Sequence, residues 1–294
     1  MKEVIAPDKT GDSSPLKPLH QQRYGGLVSQ IGSVATNLRS HWFLVRQLVG
    51  VEMQVEFRRS FLGLGWLFIV PLIAVAVWIL MNGAGVIDPG DTDVPYPAYV
   101  LLSTSIWGFF AEAYRRCGRL LESYGRLLLS TPFPIETLLA QAVIVHLIHF
   151  VIPLVLNLIV LLIFGVRFSP AALLFPFALL PLLLLGAGLG LLIAPFRLIA
   201  TDISRISDEG MRLLMYLTPI VYAPRVDISF LAGIINLNPL TYLVGFPRSL
   251  LTSGQFYEPL LFTLCAVASM VFFLACLWLF RTSEARVRER LIAN

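Results

Sequence analysis

Charged residues, cysteine and lysine are all scarce in this sequence of 294 residues. Only 14% of the residues are charged and 57% are hydrophobic, against about 25% and about 45–50% in an average soluble domain. This composition argues against disorder, a coiled coil and a secreted disulfide module, and it indicates lipid as the solvent. The three cysteines, Cys117, Cys265 and Cys276, form neither a CxxC pair nor a cluster with histidine, so the sequence predicts no zinc site.

Lysine does not occur after Lys17. A nucleotide-binding P-loop has the pattern GxxxxGK[ST], because its lysine reaches the β- and γ-phosphates. Lys9-Thr10 follows Asp8 instead of glycine, so this chain cannot supply that kind of ATP site. No GxSxG, HExxH or paired-carboxylate pattern is present either. The sequence therefore predicts a chain that is not an enzyme, with no catalytic residue, no metal ligand and no cofactor of its own.

Long apolar runs dominate the rest of the chain. A helix needs about 20 mostly apolar residues to cross a membrane. Six stretches qualify: Leu64–Met81, Ala98–Tyr114, Thr137–Phe164, Ala171–Pro195, Ile206–Tyr222 and Leu260–Phe280. We therefore predict an all-α polytopic membrane protein with six transmembrane helices. The first 25 residues lack the apolar core of a secretory signal, so we expect the amino terminus to stay in the cytoplasm.

The basic residues that give the net charge of +4 are placed as the positive-inside rule predicts for a membrane protein. If both termini are cytoplasmic, every lysine and arginine lies on a cytoplasmic segment or, for Arg212, on the inner half of a span, except Arg167, Arg225 and Arg248. The outer loop between residues 82 and 97 carries aspartates and no basic residue. Membrane orientation therefore explains the positive charge, and nucleic acid is not an expected partner.

The composition also separates the two ends of the chain from its apolar part. Residues 1–37 form a polar cytoplasmic amino-terminal segment, and residues 282–294 form a cytoplasmic tail. Leu38–Phe61 is too charged to span a membrane and too apolar to be free in water. We predict that it is an amphipathic helix in the cytoplasmic interface. An ordinary cytosolic helix packed on the protein is the alternative.

The predicted transmembrane domain covers residues 62–281 and contains one unusual outer segment, residues 223–259. This segment is too long for a tight loop and holds two short apolar runs split by Asn238-Pro239. Irregular backbone at membrane depth is tolerated only where protein buries it or where it lines a cavity. We interpret the runs as two short re-entrant helices between spans five and six. A periplasmic helix lying flat on the surface is the alternative.

Few ionisable side chains lie inside the predicted spans. Glu112 lies near the inner end of the second span, and His146 and His149 share one face of the third. They are either a proton relay or polar pore wall, or structural groups with satisfied partners. The glycines between residues 186 and 190 predict close helix packing in the fourth span.

Aromatic residues cluster around the second span and the predicted re-entrant segment. An interfacial aromatic belt is one explanation. The other is a path for a sugar chain, because aromatic rings offer an apolar face and, in Tyr and Trp, a polar edge. The candidates for such a path are Tyr99, Trp107, Phe110, Tyr114, Tyr216, Tyr222, Tyr242 and Phe246.

Four short sequence motifs follow one another along the chain. They are Phe57–Trp66 (FRRSFLGLGW, followed by Pro71), Phe133–Glu136 (FPIE), Leu217–Tyr222 (LTPIVY) and Asn236–Thr241 (NLNPLT). Together with the six spans, they resemble the membrane-spanning permease subunits of bacterial polysaccharide ABC exporters, the type-2 permeases that move O-antigen, capsule or teichoic acid. The resemblance covers about Leu38 to Phe280. One departure is Thr201-Asp202, where the family often has Arg-Asp.

The resemblance implies a homodimer in the bacterial inner membrane, bound to two separate ABC ATPase subunits that hold ATP and Mg. The cargo it implies is an undecaprenyl-diphosphate-type lipid-linked polysaccharide. A cytoplasmic coupling helix that docks on the ATPase maps to about residues 115–130. Its candidate contacts are Arg115, Arg119, Leu120, Glu122, Arg126 and Leu127.

Two more sets of residues follow from the resemblance. The Asn-Pro-Leu turn between the re-entrant helices and the basic residue after it map to Asn238, Pro239 and Arg248, as a gate. A diphosphate headgroup needs cationic contacts, and the candidates near the interface helix are Arg39, Arg46, Arg58 and Arg59. Solvated positive-inside charges are the alternative for these four arginines.

Other classes of protein stay open at this stage. An ABC exporter of another lipid or drug would share the same spans. An ion-coupled secondary transporter would need inverted repeats and intramembrane carboxylates, and an intramembrane transferase would need a polar cluster around His146 or His149. The sequence favours a polysaccharide exporter permease over all three.

Overall fold

The structure is a computed structural model that describes residues 34, 36–59, 65–86, 90–130, 134–198, 200–223 and 229–293. Every regular element in these ranges is helical, which confirms the all-α class. A 3₁₀ helix covers Pro170–Leu174. The α-helices are α1 Trp42–Arg59, α2 Trp66–Gly83, α3 Tyr96–Gly118, α4 Leu120–Ser130, α5 Glu136–Ile163, α6 Phe175–Ala178, α7 Leu180–Arg197, α8 Thr201–Tyr216, α9 Ser229–Leu237, α10 Pro239–Thr252 and α11 Pro259–Ala293.

Helices lie on all six apolar runs. Three stretches of the described chain are long and apolar enough to cross a membrane: Glu136–Ile163, Pro170–Arg197 and Pro259–Thr282. They match the third, fourth and sixth predicted spans. Helices α2 and α3 cover the first and second runs. That the other three helices also cross the membrane stays a prediction.

The fifth run differs from its predicted bounds. Helix α8 begins at Thr201 and ends at Tyr216, instead of running from Ile206 to Tyr222. A residue that precedes proline avoids the α conformation, so Pro219 prevents the helix from continuing through Thr218. The apolar residues after Tyr216 form an irregular segment.

Helix α3 lies at the centre of the molecule. It packs on α7 most extensively and also on α2, α5 and α10. Phe110, Leu102 and Ile106 of α3 are fully buried together with Leu182 and Leu191 of α7. Residues 98–111 of α3 are buried apart from Thr104 and Gly108, as expected for an apolar helix segment surrounded by other helices, whereas the charged residues lie near its carboxyl end.

Two glycines of α7 allow its backbone to approach α3. A Cβ atom at Gly186 would lie 2.6 Å from the carbonyl oxygen of Phe110. One at Gly190 would lie 2.5 Å from the carbonyl oxygen of Tyr114. The structure thus confirms the close packing predicted from the glycines of the fourth span.

The segment after α8 is irregular but its backbone is well bonded. Tyr96 and Tyr99 of α3 donate their hydroxyls to the carbonyl oxygens of Val221, at 3.1 Å, and Tyr222, at 2.9 Å. Asn238 Nδ2 donates to the carbonyl oxygen of Leu217, at 3.2 Å. These side-chain donors replace the hydrogen bonds that a helix would have supplied, as an irregular segment away from water requires.

Two short helices, α9 and α10, occupy the predicted re-entrant segment and meet at Asn238. The side chain of Asn238 caps α10, since its Oδ1 accepts from the backbone N–H of Leu240 at 3.0 Å. Pro239 follows in the first turn, where a missing N–H costs nothing. Helix α10 is buried from Leu240 to Thr252 apart from Tyr242. The Asn-Pro break therefore stands where the sequence predicted it.

Candidate functional site

A polar cluster joins α1 to three other helices. Glu52 of α1 binds Arg116 of α3, with Oε1 2.7 Å from Nη1. Its other oxygen accepts from the hydroxyl of Tyr124 on α4, at 3.0 Å, and from the side-chain amide of Gln141 on α5. We call Glu52, Arg116, Tyr124 and Gln141 the Glu52 cluster. One carboxylate thus ties the predicted interface helix to the predicted coupling helix.

Arg116 links this cluster to the ionisable groups of the predicted second and third spans. Its Nε lies 2.9 Å from Glu112 Oε1, and its Nη2 donates to His149 Nδ1 at 2.8 Å. Glu112 also pairs with Arg115, at 2.8 Å. His146 packs its ring against Phe109, with centroids 4.6 Å apart. Glu112 and His149 thus have polar partners, as the structural interpretation expects, whereas the buried His146 Nε2 has no hydrogen-bond partner in the described part of the chain.

The Glu52 cluster is partly shielded from water. The side chains of Arg116 and Glu52 are 17% and 24% exposed. Burial, and then the adjacent Glu52 carboxylate, raise the pKa of Tyr124 above its usual value, so the phenol stays protonated and donates. A cavity of about 240 Å³ opens beside the cluster, between α1, α3, α4 and α5. Its lining includes Arg115, Arg119 and Ser123.

A second cluster gathers around Asp208 of α8. Arg197, at the end of α7, donates to Asp208 Oδ1 at 2.6 Å and to the hydroxyl of Tyr114 at 2.9 Å. The Arg197 side chain is only 1% exposed, so these partners neutralise a buried cation. Arg119 approaches the other oxygen of Asp208 at 3.5 Å. The cluster fixes the middle of α8 against α3 and α7.

A third ion pair joins the start of α5 to α11. Glu136, the last residue of the FPIE motif, lies 2.7 Å from Arg281. The two side chains are 4% and 13% exposed. A buried carboxylate needs such a partner, and the pair fixes the beginning of α5 to the carboxyl-terminal half of α11.

The predicted coupling residues divide between two helices. Arg115 lies in the last turn of α3 and Arg119 directly follows the helix. Both are exposed and line the cavity. Leu120 is buried, whereas Glu122 of α4 is exposed and Leu127 is half-buried. The side chain of Arg126 lies outside the described residues. The helix itself is present, since α4 covers Leu120–Ser130.

The predicted headgroup residues are only partly described. Arg39 and Arg46 are exposed, as a contact with a lipid phosphate requires. The side chains of Arg58 and Arg59 lie outside the described residues. On the same stretch, Phe43 is 73% and Val51 is 59% exposed, so α1 presents apolar as well as basic side chains outward. That combination fits the membrane interface.

The aromatic candidates separate into an inner and an outer group. Tyr99, Trp107, Phe110, Tyr114 and Phe246 are buried within the chain. Tyr216 is exposed, and Tyr222 and Tyr242 are half-buried. The inner rings hold helices together; Phe246, for example, stacks on Phe262 with centroids 3.9 Å apart. In this arrangement only the outer three present a surface to a passing molecule.

Of the gate candidates, Arg248 is the most deeply buried, at 5% exposure. Its Nη1 donates to Ser103 Oγ at 3.2 Å and to the carbonyl oxygen of Pro219 at 2.9 Å. Its guanidinium lies 4.5 Å from the centre of the Tyr99 ring. Arg248 therefore joins α10, α3 and the segment after α8 through neutral partners.

Helix α8 carries an exposed charged stripe. Asp202, Arg205, Glu209, Arg212 and Tyr216 recur at spacings of three and four residues and are all exposed, so they share one face. Glu209 and Arg212 pair at 3.0 Å on this face. An apolar exposed stripe lies beside it, at Ile206, Leu213 and Leu217. The opposite face packs on α7 and on the core.

Sequence reasoning missed the partners that complete these clusters. Glu52, Tyr124, Gln141 and Asp208 are not among the candidates that the sequence offers. One signal could have found Glu52. His41, Val45, Leu48 and Glu52 recur at spacings of four, three and four, so a single acid continues the packed stripe of α1.

The comparisons with known proteins agree with the motif resemblance. No family model matches the chain. The chain is 27% identical over 219 residues to the O-antigen export system permease protein RfbA of Myxococcus xanthus, covering 73% of this chain and 80% of that protein. It is 21% identical over 220 residues to the protein of the same name from Klebsiella pneumoniae, covering 74% of this chain and 83% of that protein. The resemblance to polysaccharide exporter permeases is confirmed.

Proposed function

We propose that this chain is a permease of the type-2 ABC exporter family and forms the transmembrane subunit of an ATP-driven exporter of lipid-linked, O-antigen-like polysaccharide. The observation that carries the proposal is its similarity, along about three quarters of its length, to two O-antigen export system permeases. Export runs from the cytoplasm to the periplasm.

The membrane arrangement follows the positive-inside rule. Six spans place both termini in the cytoplasm and the segment that contains α9 and α10 at the outer face of the inner membrane. Glu52, Arg116, Asp208 and Glu136 then all lie at the inner face. Buried charges are least costly there, where water is near, and this supports the orientation.

ATP hydrolysis belongs to two partner subunits, because the sequence has no P-loop lysine. These ATPases hold ATP and Mg and push on α4, the coupling helix. Two copies of this chain form the conduit between them. The Glu52 cluster supports this role for α4, since it connects the helix to α1, α3 and α5 by charged hydrogen bonds.

The charged stripe of α8 supports a hydrophilic path. Arg212 lies one turn, about 6 Å along the axis, beyond Asp208, which pairs with Arg197 at the inner end of α7, so the stripe runs from the inner face into the membrane. Charged side chains at such depth avoid lipid and face water. The stripe and Tyr216 therefore face the path of the glycan, and the adjacent apolar stripe faces lipid or the second copy.

The diphosphate headgroup of the cargo binds at the inner leaflet. Arg39 and Arg46 are exposed on the interface segment, and Arg58 and Arg59 follow them in the sequence. Arginine binds phosphate through two parallel hydrogen bonds. Reversing the charge at Arg58 and Arg59 together should reduce glycan export. Normal export by that double variant would contradict the headgroup role.

Deleting the gene in its own organism tests the proposed function. We expect long glycan to disappear from the cell surface and its lipid-linked form to accumulate inside, with both restored by the wild-type gene. Mass spectrometry of extracted lipids and labelling of surface glycan measure the two pools. Unchanged surface glycan would contradict the proposal, and loss of a different lipid from the outer surface would favour the alternative, an exporter of another lipid.

A further inference from the structure

Helix α1 packs through an apolar stripe that ends at a carboxylate. Val45 is fully buried, and Leu44 and Leu48 pack on the core that contains Leu121 and Leu138. Glu52 follows on the same face, one turn beyond Leu48. An apolar stripe alone permits small shifts along or around the helix axis, because dispersion contacts are non-directional. A carboxylate held by fixed hydrogen-bond donors does not permit such shifts.

The donors of Glu52 come from three separate helices. Arg116 reaches it from α3, Tyr124 from α4 and Gln141 from α5. Charge-assisted hydrogen bonds are about twice as strong as neutral ones and are directional. Both oxygens of Glu52 are engaged, so rotation or translation of α1 by a few ångströms would break several bonds together.

Arg116 has a second carboxylate within reach. Glu112 lies one turn before it on α3, and its Oε1 is 2.9 Å from Arg116 Nε. If α1 withdrew, Arg116 would keep a counter-ion, and the adjacent cavity would leave room for the side chains to rearrange. The structure shows the arrangement with Glu52 seated, and a second arrangement with Glu52 released would leave Arg116 paired with Glu112.

We propose that Glu52 locks the position of α1 against the coupling helix, so that a displacement of α4 by the ATPase is passed to α1. The inference rests on the proposed function, and it adds a positioning residue that makes no contact with ATP or cargo. Seated, the Glu52 cluster moves α1, α4 and α5 together. Released, α4 moves without α1, and ATP hydrolysis is separated from export.

The test uses the intact complex of this chain with its ATPase, reconstituted into liposomes with lipid-linked glycan. Glu52→Gln keeps the shape of the side chain and removes its charge. We expect ATP hydrolysis to stay within about twofold of the wild type while glycan exported per ATP falls about tenfold, which is the factor that one charge-assisted hydrogen bond is worth. Gln54→Ala, at an exposed position of the same helix, should leave both rates unchanged.

A second variant keeps the test decisive if Glu52→Gln assembles poorly. Tyr124→Phe removes one hydroxyl that donates to Glu52 and leaves the ring in place. It should lower export per ATP in the same direction, and combining it with Glu52→Gln should lower it no further. A merely structural role would lower complex yield and hydrolysis together and would leave export per ATP unchanged.

The outcomes separate the two proposals. If the wild-type complex hydrolyses ATP and moves no glycan, the proposed function is wrong. If the wild type exports glycan while Glu52→Gln and Tyr124→Phe both export as much per ATP as the wild type, the function stands and the lock is wrong.

Discussion

At the scale of single residues, the polar side chains of this apolar molecule act mainly by joining helices. Arg248 connects three segments through a hydroxyl, a carbonyl and an aromatic ring. Arg197 does the same with a carboxylate and a phenol. A buried polar group is costly unless it is hydrogen-bonded, so each of these residues fixes a definite arrangement of its neighbours.

Arg248→Ala should destabilise the protein, because it removes the hydrogen bonds of a buried side chain. The change leaves Ser103 and the Pro219 carbonyl without a buried donor, and an unsatisfied buried group costs about 1–3 kcal/mol. We expect a lower melting temperature in detergent. Arg167→Ala, at an exposed position, is the control and should melt like the wild type. Equal melting of both variants would show that Arg248 is not a structural link.

The pairing of single charged residues could not be predicted from the sequence. Glu52, Glu112 and Arg116 can all be read as charges near the inner face, but nothing in the sequence pairs them. Their pairing depends on which turns of α1, α3 and α5 lie side by side, and apolar helices carry little information about that register. The same limit applies to the aromatic path, because Trp107 and Tyr216 are equally compatible with a ring in the core or on a surface.

At the scale of elements, the helices follow directly from the sequence. Apolar runs of about 20 residues predict α5, α7 and α11, and Asn238-Pro239 predicts the break between α9 and α10. The error at α8 has a local cause: hydropathy counted Leu217–Tyr222 as part of a helix, whereas Pro219 ends it. The packing of α7 on α3 was predictable from its glycines, because only small residues allow such an approach.

Gly190→Ala should disturb the contact between α7 and α3. The new Cβ would lie 2.5 Å from a backbone oxygen, so one helix must move, and overpacking of this kind costs about 1–3 kcal/mol. Gly210→Ala is the matched control, since nothing lies within 4 Å of its Cβ and alanine favours a helix. Thermal unfolding in detergent should rank Gly190→Ala below the wild type and Gly210→Ala at or above it. The reverse order would contradict the packing.

The two outward stripes of α8 should differ in their contact with water. Cysteine at position 209 or 212, on the charged stripe, should react quickly with a water-soluble maleimide in membranes that contain the assembled exporter. Cysteine at position 206 or 213, on the apolar stripe, should react slowly, because thiolates form only where water reaches them. A background lacking reactive native cysteines is the reference. Equal rates on the two stripes would contradict a hydrophilic path along α8.

At the scale of the whole molecule, the structure combines a packed bundle around α3 with polar clusters that join the helices predicted to meet the ATPase. The clusters at Glu52, Asp208 and Glu136 together involve α1, α3, α4, α5, α7, α8 and α11. Under the proposed function, such a framework transmits a displacement of the coupling helix to the other helices. The fold class and the resemblance to polysaccharide exporter permeases could be predicted from the sequence, whereas the clusters could not, because each is formed by residues far apart in the chain.

The most direct test of this account is transport by purified components. The chain is reconstituted into liposomes with lipid-linked glycan, with and without its ABC ATPase, and ATP hydrolysis and glycan reaching the far side are measured together. The account predicts that the chain alone neither hydrolyses ATP nor moves glycan, and that both activities appear when the ATPase is added. Glycan movement by the chain alone, driven by an ion gradient, would contradict it.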